Sequence, residues 1–392
     1  MTPRCLLIAH TFPPVIGGSA AVYEALARHA GGAIAVLTSR LDPATGQEMS
    51  DWRELDAAAP YPVYRLGLVR PPLPGAAARN AVLRHLAWGG RAAALAATVA
   101  RLARQHRADA VCVCDDETVG WLIPFARHIL RRRALAYCHG DDLVEENPVA
   151  RRQRARWFAS ADHIVAASAF ATRRLVEAYG VPAARVVTLP NGVDLARFRS
   201  MADAVELRER LGLQGRRVLL AASRLVPRKG FDRLIEALPA IAARHPDVLL
   251  LIVGDGPQRA ELEAMAAKVG GVRFAGTVAP AAMPEFHTLA ELVVLPNREE
   301  PGEADGLPMV LLEAGACGRP VVAGRAGGAA EAVVEGETGL LVDGRDPDAI
   351  ATAVLRVLDD GAFAARLGAA AAARSREWDW ATRTQVFLTA CG

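Results

Sequence analysis

The chain has 392 residues, of which 52% are hydrophobic and 5% aromatic, and its formal net charge at pH 7 is +3. This length suits two domains of ordinary size and exceeds what one compact core usually holds. No apolar run approaches the roughly 20 residues of a membrane helix, and the first residues lack the regions of a signal peptide. The composition therefore predicts a cytoplasmic α/β protein and argues against secreted and membrane-spanning classes.

Charge is distributed unevenly along the chain. Residues 1–190 contain 23 arginines, no lysine and 16 acidic residues, whereas the remainder contains 23 basic and 27 acidic residues. The arginine clusters at 131–133 and 151–156 carry much of the excess. A basic first half favours an anionic partner such as a phospholipid surface or a lipid diphosphate, although a solvated helical face explains the clusters equally well. No nucleic-acid motif accompanies the charge, so no nucleic-acid partner is expected.

The six cysteines show neither a CxxC pair nor the spacing of metal ligands. Several lie inside apolar runs, as small buried side chains do. They are predicted to be reduced core residues of a cytosolic protein, and no metal site is expected from them.

Short β-type runs alternate with longer helical patterns throughout the chain. The predicted strands of the first half are Cys5–Ala9, Ala33–Leu37, Ala110–Cys114, Ala134–Cys138, His163–Ala167 and Arg185–Leu189, and its helices are Ala20–His29, Ala92–Gln105 and Ala169–Tyr179. After a turn-rich stretch at 189–194, the second series has strands at Arg217–Ala222, Val248–Val253, Val272–Ala275, Leu292–Leu295, Pro320–Ala323 and Leu340–Val342. Its helices are Phe231–Ala243, Gln258–Val269 and Met309–Cys317. This alternation predicts two α/β domains with doubly wound parallel sheets.

The alternation of strands and helices predicts three segments of the chain. They are a Rossmann-like domain over 1–190, a second one over 191–374 and a final helix over 375–392. Ligands of open α/β sheets bind at the carboxyl ends of the strands. Two such domains facing each other would place these ends along one cleft between them.

In the second domain, the loop between the strand Arg217–Ala222 and the next helix contains Arg224 and Lys229. Loop cations and helix N–H groups aimed at one spot suit a diphosphate. Lys229 is one of only two lysines among 46 basic residues, which suggests that this position needs a compact ammonium. A solvated loop is the alternative.

Two further stretches follow strands of the same domain. Gly254 ends a strand, where a glycine lets backbone approach a ligand, but a tight turn explains it about as well. Asp305 precedes a helix that contains Glu313 eight positions later. Carboxylates at this spacing can hold two hydroxyl-bearing groups, with the N–H groups of the helix start facing phosphate between them.

In the first domain, Gly17 and Gly18 link the first strand to the first helix. The loop is not GxGxxG, which argues against a dinucleotide cofactor. His139 follows a strand and could hydrogen-bond a sugar hydroxyl, or it could be a structural loop histidine. The run 115–117 imitates a metal-binding DxD motif, but the cations of the second domain already supply the charge that a metal would bring.

With these motifs assembled, the chain resembles family 4 of the glycosyltransferases, of the GT-B fold. The resemblance covers nearly the whole length and is strongest from Asn191 to Asp343. It rests on the Gly17-Gly18 loop, His139-Gly140, Asn191-Gly192-Val193-Asp194, Arg224 with Lys229-Gly230, Gly254-Asp255-Gly256-Pro257, the region ending at Glu313, and Gly318-Arg319-Pro320-Val321-Val322-Ala323. The motifs are specific together, and none is so alone.

The resemblance implies retaining transfer of a sugar from a nucleotide-diphospho-sugar, with UDP or GDP as the nucleotide and no metal or other cofactor. The implied catalytic residues are His139, Arg224, Lys229 and Asp305, and the implied donor-binding residues are Gly17, Gly18, Gly254, Gly306, Leu307, Pro308, Met309, Val310 and Glu313. Within these sets, Arg224 and Lys229 bind the leaving diphosphate and Glu313 holds the ribose. The final helix crosses back to the first, acceptor-binding domain.

The acceptor class expected from the basic first half is a lipid-linked glycan of envelope or exopolysaccharide synthesis, with peripheral contact to the inner face of the plasma membrane. A small soluble acceptor is the alternative. One departure from the family pattern stands at Asp305, where the family has the first glutamate of Glu-x7-Glu. A non-catalytic sugar-nucleotide-binding partner and a sugar-nucleotide epimerase are the alternatives. The sequence does not specify the base, the sugar, the linkage or the oligomeric state.

Overall fold

The computed structural model describes residues 2–42, 45–67, 69, 81–114, 119–144, 147–200, 204–301 and 303–392. The chain divides into two compact units. The first comprises Met1–Pro190 together with Trp380–Gly392, and the second comprises Asn191–Asp379. The predicted boundaries lie after residues 190 and 374.

The first unit is built on a seven-stranded parallel sheet. Its strands are β1 (Cys5–Ile8), β2 (Ile34–Ser39), β3 (Val63–Leu66), β4 (Ala110–Val113), β5 (Arg133–Cys138), β6 (His163–Ala166) and β7 (Val186–Thr188). Its helices are α1 (Gly18–His29), α2 (Trp52–Ala58), α3 (Ala81–Gln105), α4 (Pro148–Ala159) and α5 (Ala169–Tyr179), with a helical turn at Leu122–Pro124 that continues as a π-helix over Phe125–Ile129. The strand order is β3-β2-β1-β4-β5-β6-β7, so it reverses direction between β1 and β4.

The second unit has a six-stranded parallel sheet of order β10-β9-β8-β11-β12-β13. Its strands are β8 (Arg217–Ala222), β9 (Val248–Val253), β10 (Val272–Gly276), β11 (Leu292–Leu295), β12 (Val321–Gly324) and β13 (Leu340–Val342). Its helices are α6 (Val205–Arg210), α7 (Phe231–Arg244), α8 (Arg259–Val269), α9 (Met283–Leu289), α10 (Met309–Ala316), α11 (Ala329–Ala332), α12 (Pro347–Asp359) and α13 (Gly361–Ser375). The order of this sheet reverses between β8 and β11.

Burial explains why these strands form where they do. Every residue of β1 and of β9 is buried, because helices cover both faces of a parallel sheet. In the second unit, one apolar cluster contains Leu234 and Val354 and lies on one face of the sheet, whereas another contains Phe286 and Leu311 and lies on the other. The predicted α/β class with two doubly wound sheets is confirmed.

Several elements of the first unit differ from the prediction, which lacked α2, α4 and the helical segment at 122–129. β3 was missed, because its four residues are only half-buried and include Arg65, so it lacks the apolar run of the inner strands. The helix α3 begins at Ala81 rather than at Ala92. The double glycine at 89–90 hid this longer helix, since glycine is a poor helix former.

The C-terminal segment is divided between the units. Trp378 lies in a cluster of the second unit with Val193 and Leu312, and the backbone N–H of Val193 donates to the carbonyl of Trp378 at 2.8 Å. The last helix, α14 (Trp380–Cys391), packs on α1 in the first unit. Residues 375–379 therefore belong with the second unit, not with the final helix as predicted.

Candidate functional site

The reversal of strand order in the second sheet defines a candidate site. The loops after β8 and β11 leave this point at the carboxyl edge of the sheet, where ligands of open α/β sheets bind. The first loop contains Arg224 and Lys229, and the second contains Asp305. The fold therefore places three of the four predicted catalytic residues on two adjacent loops of one unit.

Lys229 and Asp305 form an ion pair. Nζ of Lys229 lies 2.9 Å from Oδ1 of Asp305, and Nε of Arg228 donates to the same oxygen at 2.9 Å. Lys229 is 9% exposed and Asp305 5%. Because a lysine ammonium has three N–H donors, this contact uses only one of them. The pair can therefore fix the ammonium while the ammonium still donates to a ligand.

The sequence predicts that Lys229 binds the diphosphate of a donor and that Asp305 is catalytic, and it predicts no contact between the two. The structure pairs them directly and adds Arg228, which also contacts Oε2 of Glu303 at 2.9 Å. Arg228 was not singled out from the sequence, although it is the neighbour of Lys229 and faces an acidic loop. The other oxygen of Asp305, Oδ2, is buried with no hydrogen-bond partner among the described residues. Buried acceptors are seldom left unpaired, so Oδ2 is a candidate contact for a ligand hydroxyl.

Arg224 differs from Lys229 in its surroundings. It is exposed, and it makes no ion pair within the described part of the chain. An unpaired arginine with five N–H donors suits a phosphate group. Arg224 and Lys229 therefore offer one exposed and one buried cation from the same loop.

Glycines let the loops of this edge pack closely on each other. A Cβ atom on Gly230 would lie 2.1 Å from the carbonyl oxygen of Pro296, and one on Gly254 would lie 2.0 Å from that of Ser223. Gly230 also has φ +71°, in the left-handed region that favours glycine. Close packing of the loops therefore requires glycine at 254, and a contact of Gly254 with the donor stays a prediction.

Glu313 lies on α10 and is partly buried. Its Oε2 is 3.5 Å from Nε2 of His287, a fully buried residue of α9 whose ring packs on Phe198 at 5.9 Å between centroids. The distance and alignment do not make a hydrogen bond, since both ring nitrogens of His287 lack a partner among the described residues. His287 was not found from the sequence, because a lone histidine in an apolar helix carries no motif.

The residues between Asp305 and Glu313 divide into two kinds. Leu307 is buried in an apolar cluster, and its carbonyl oxygen accepts from Nδ2 of Asn191 at 2.8 Å. Pro308 is buried at the N-cap of α10, whereas Gly306, Met309 and Val310 are partly exposed. The first N–H groups of a helix have no partner within it. Met309 and Val310 can therefore contribute backbone donors, and Leu307 no side chain.

In the first unit, Gly17 and Gly18 lie at the start of α1 and are exposed. A Cβ atom on either one would meet nothing within 4 Å. The fold therefore does not need glycine at these positions for packing. Open space beside backbone is what close approach of a ligand requires.

His139 follows β5 in the same unit. Its Nε2 lies 2.8 Å from the hydroxyl of Tyr23 on α1, and its backbone N–H donates to Oδ1 of Asp142 at 3.1 Å. Gly140, with φ +116°, donates its N–H to the same Asp142 oxygen at 2.6 Å. The loop conformation and the ring orientation of His139 are thus held by separate contacts. Tyr23 was not singled out from the sequence.

Several features bear on metals, membranes and thiols. Among the described residues no group of three or more His, Cys, Asp or Glu side chains is arranged to hold a metal ion. The run 115–117, considered as a DxD motif, lies outside the described residues.

No helix in the described ranges is long and apolar enough to cross a membrane. All six cysteines are buried, and burial raises the pKa of the Cys112 and Cys114 thiols.

The comparisons with known proteins agree with this architecture. The family model described as Glycosyltransferase Family 4 matches residues 16–197, and that of Glycosyl transferases group 1 matches residues 203–374. The fold is similar to that of Anabaena Alr3699/HepE, crystallised with UDP and glucose, with a TM-score of 0.79 and 23% identity over 98% of this chain and 97% of that one. Two parallel-sheet α/β units of this kind are those of the GT-B fold.

Relatives of higher identity place the chain within this class. It is 34% identical over 398 residues to the GDP-mannose-dependent alpha-(1-6)-phosphatidylinositol monomannoside mannosyltransferase of Mycobacterium tuberculosis, with 96% of this chain and 93% of that protein covered. It is 36% identical over 297 residues to the protein of the same description from Mycolicibacterium smegmatis, with 74% and 78% covered. The chain belongs to family 4 of the glycosyltransferases.

Proposed function

We propose that the protein transfers mannose from GDP-mannose to a hydroxyl of a lipid-linked acceptor, with retention at the anomeric carbon. The observation that carries this proposal is a sequence similarity found together with a pair of cations. One is full-length similarity to mannosyltransferases described as GDP-mannose-dependent. The other is a pair of cations, Arg224 and Lys229, at the strand reversal of the second sheet. The donor nucleotide is thus assigned to the second unit.

The charge change of the reaction explains the proposed roles. Breaking the anomeric bond builds negative charge on the diphosphate and positive charge on the sugar. Arg224, Lys229 and the first N–H groups of α10 stabilise the diphosphate, because preorganised donors are most effective where charge develops. The carboxylate of Asp305 keeps the ammonium of Lys229 in place before the donor arrives. Glu313 accepts hydrogen bonds from the ribose hydroxyls.

Retention is proposed to follow from attack on the same face. The acceptor hydroxyl approaches the anomeric carbon from the side that the diphosphate leaves, and a diphosphate oxygen takes up its proton. His139 is proposed to contact the donor sugar, and Gly17 and Gly18 are proposed to lie near its anomeric end or the phosphates. No step in this scheme needs a metal, since two protein cations supply the charge that a metal would bring. Trapping of a glycosyl-enzyme intermediate would refute the scheme.

Calorimetric titration with GDP-mannose, UDP-glucose and ADP-glucose in the presence of EDTA tests the donor. We expect GDP-mannose to bind at least about tenfold more tightly than the other two, a difference of about 1.4 kcal/mol, with the same affinity before and after chelation. Tighter binding of a different nucleotide would disprove the assignment of guanine. Binding of none of them would favour the non-catalytic alternative, and loss of binding with EDTA would disprove metal independence.

The acceptor proposal includes peripheral contact with the inner face of the plasma membrane, made from the cytoplasm. On α4 the side chains of Arg151, Arg152 and Arg156 are exposed, as is Val149 at 72%. Arg154 differs, since it is 2% exposed and its guanidinium lies 5.5 Å from the ring centroid of Tyr179. Three of the four arginines of this cluster are thus available to anionic headgroups.

Charge reversal tests this contact. We expect Arg151→Glu with Arg152→Glu to weaken binding to phosphatidylserine-containing vesicles in sedimentation by at least roughly 30-fold, since the loss of each arginine near an anionic surface costs about 1 kcal/mol and the added carboxylates are repelled. The matched control is Arg101→Glu with Arg104→Glu, which makes the same charge change at exposed positions of α3. Equal loss in both variants would show that only net charge matters. No loss in the first variant would favour the solvated helical face.

A further inference from the structure

The hydroxyl of Tyr23 has two partners of different chemistry. It lies 3.0 Å from the carbonyl oxygen of Cys114, to which it donates, and 2.8 Å from Nε2 of His139. A carbonyl oxygen can only accept, so the single hydroxyl proton is directed to Cys114. The hydroxyl oxygen must then accept from His139. Nε2 of His139 therefore carries a hydrogen.

We infer that Tyr23 is a positioning residue that holds His139 as the Nε2–H tautomer. Any change in the protonation of the ring then takes place at Nδ1. As a neutral ring, His139 has an acceptor lone pair at Nδ1, and it gains an N–H donor there only on protonation. The consequence for catalysis rests on the proposed function, in which His139 contacts the donor sugar.

The environment keeps the Tyr23 hydroxyl in its donating form. Tyr23 is 1% exposed, and burial raises the pKa of its hydroxyl well above the ordinary value. After burial, the next largest contributions to the raised pKa come from the thiol of Cys114 and the carboxylate of Asp142. A phenol in these surroundings stays protonated across the working pH range. The direction of the hydrogen bonds therefore does not change with pH in that range.

Packing against the imidazole is separate from this hydrogen bond. The ring of Tyr137 lies 5.1 Å from that of His139 and 5.6 Å from that of Tyr23. The Tyr137 hydroxyl is buried and has no hydrogen-bond partner among the described residues. Both tyrosines therefore confine the ring of His139, and of the two it is Tyr23 whose hydroxyl contacts a ring nitrogen. Removing each hydroxyl in turn separates the two effects.

Nitrogen NMR of protein labelled with ¹⁵N-histidine tests the tautomer directly. At pH 8, above the ordinary histidine pKa of about 6.5, we expect His139 in the wild type to carry its hydrogen on Nε2, with the signals assigned by their loss in His139→Gln. Tyr23→Phe should give a mixture of tautomers, whereas Tyr137→Phe should match the wild type. A hydrogen on Nδ1 in the wild type, or an unchanged tautomer in Tyr23→Phe, would overturn the inference.

Turnover gives a second readout. Tyr23→Phe is expected to lower kcat by about 10-fold to 100-fold, with little change in the donor KM. Losses of this size are typical at metal sites when the hydrogen-bond partner that orients a histidine is removed. A rise in KM alone would contradict a positioning role. The wild-type spectrum does not depend on turnover. Failure to find any glycosyl transfer would therefore overturn the proposed function and leave the tautomer inference to be decided by the spectrum.

Discussion

Replacing Lys229 with alanine is expected to lower kcat/KM for the donor by about 100-fold to 1,000-fold, the usual loss when one preorganised donor to a developing charge is removed. The physical reason is that Lys229 supplies a largely buried ammonium, where a charge is worth more than at an exposed site. The fold should survive, since Arg228 still pairs with the carboxylate of Asp305. Steady-state kinetics with the proposed donor measures the effect, and circular dichroism checks the fold.

The chain offers a matched control for this change. Lys268 is the only other lysine, and it is exposed near the end of α8. Lys268→Ala removes the same charge and should leave kcat/KM within about twofold of the wild type, as expected for an exposed charge. Equal kcat/KM in the wild type and Lys229→Ala would contradict the assignment of Lys229 to the diphosphate.

Replacing Asp305 with asparagine is expected to destabilise the second unit by about 3 kcal/mol, since breaking a buried ion pair by removing one partner leaves an uncompensated charge. Asp305 is the carboxylate shared by Lys229 and Arg228, and asparagine keeps its shape while removing its charge. The denaturation midpoint of the unit in urea measures the loss.

Glu303→Gln is the control for this second change. Glu303 contacts the same Arg228, but its side chain is half exposed. Its replacement should cost at most about 1 kcal/mol, as for surface ion pairs in general. If the two variants lose equal stability, the buried pair between Lys229 and Asp305 does not have the role described. Asp305→Glu, which restores the family residue, separates charge from side-chain length.

The sequence predicted the elements whose patterns are local. Continuous apolar runs such as Val248–Val253 and Leu292–Leu295 identified inner strands with their observed bounds. The edge strand β3 was not predicted, because a half-buried strand with an arginine lacks such a run. The start of α3 was misplaced because glycines interrupted its helical pattern. Elements whose residues are buried could therefore be predicted from their hydrophobic pattern. Elements that depend on packing against their neighbours could not.

The candidate site shows the same division. The sequence motifs predicted that Arg224, Lys229 and Asp305 lie in the loops after β8 and β11. Because the carboxyl ends of parallel strands share one edge of a sheet, these loops were expected at one site. The pairing of Lys229 with Asp305 could not be predicted, because spacing does not set the direction of a loop side chain. Tyr23 was missed for a related reason, since it lies 116 positions from His139 in the chain.

The most direct test of the central claim follows sugar from donor to acceptor. The protein is incubated with GDP-mannose labelled in the sugar and with vesicles containing a mannosylated phosphatidylinositol, and the lipid fraction is extracted and counted. The account predicts labelled lipid that accumulates with time, carries an α-linked mannose by NMR, and is lost in Lys229→Ala but not in Lys268→Ala. Label that stays in GDP-mannose, or is released only as free mannose, would contradict the claim that this chain is a mannosyltransferase acting on lipid.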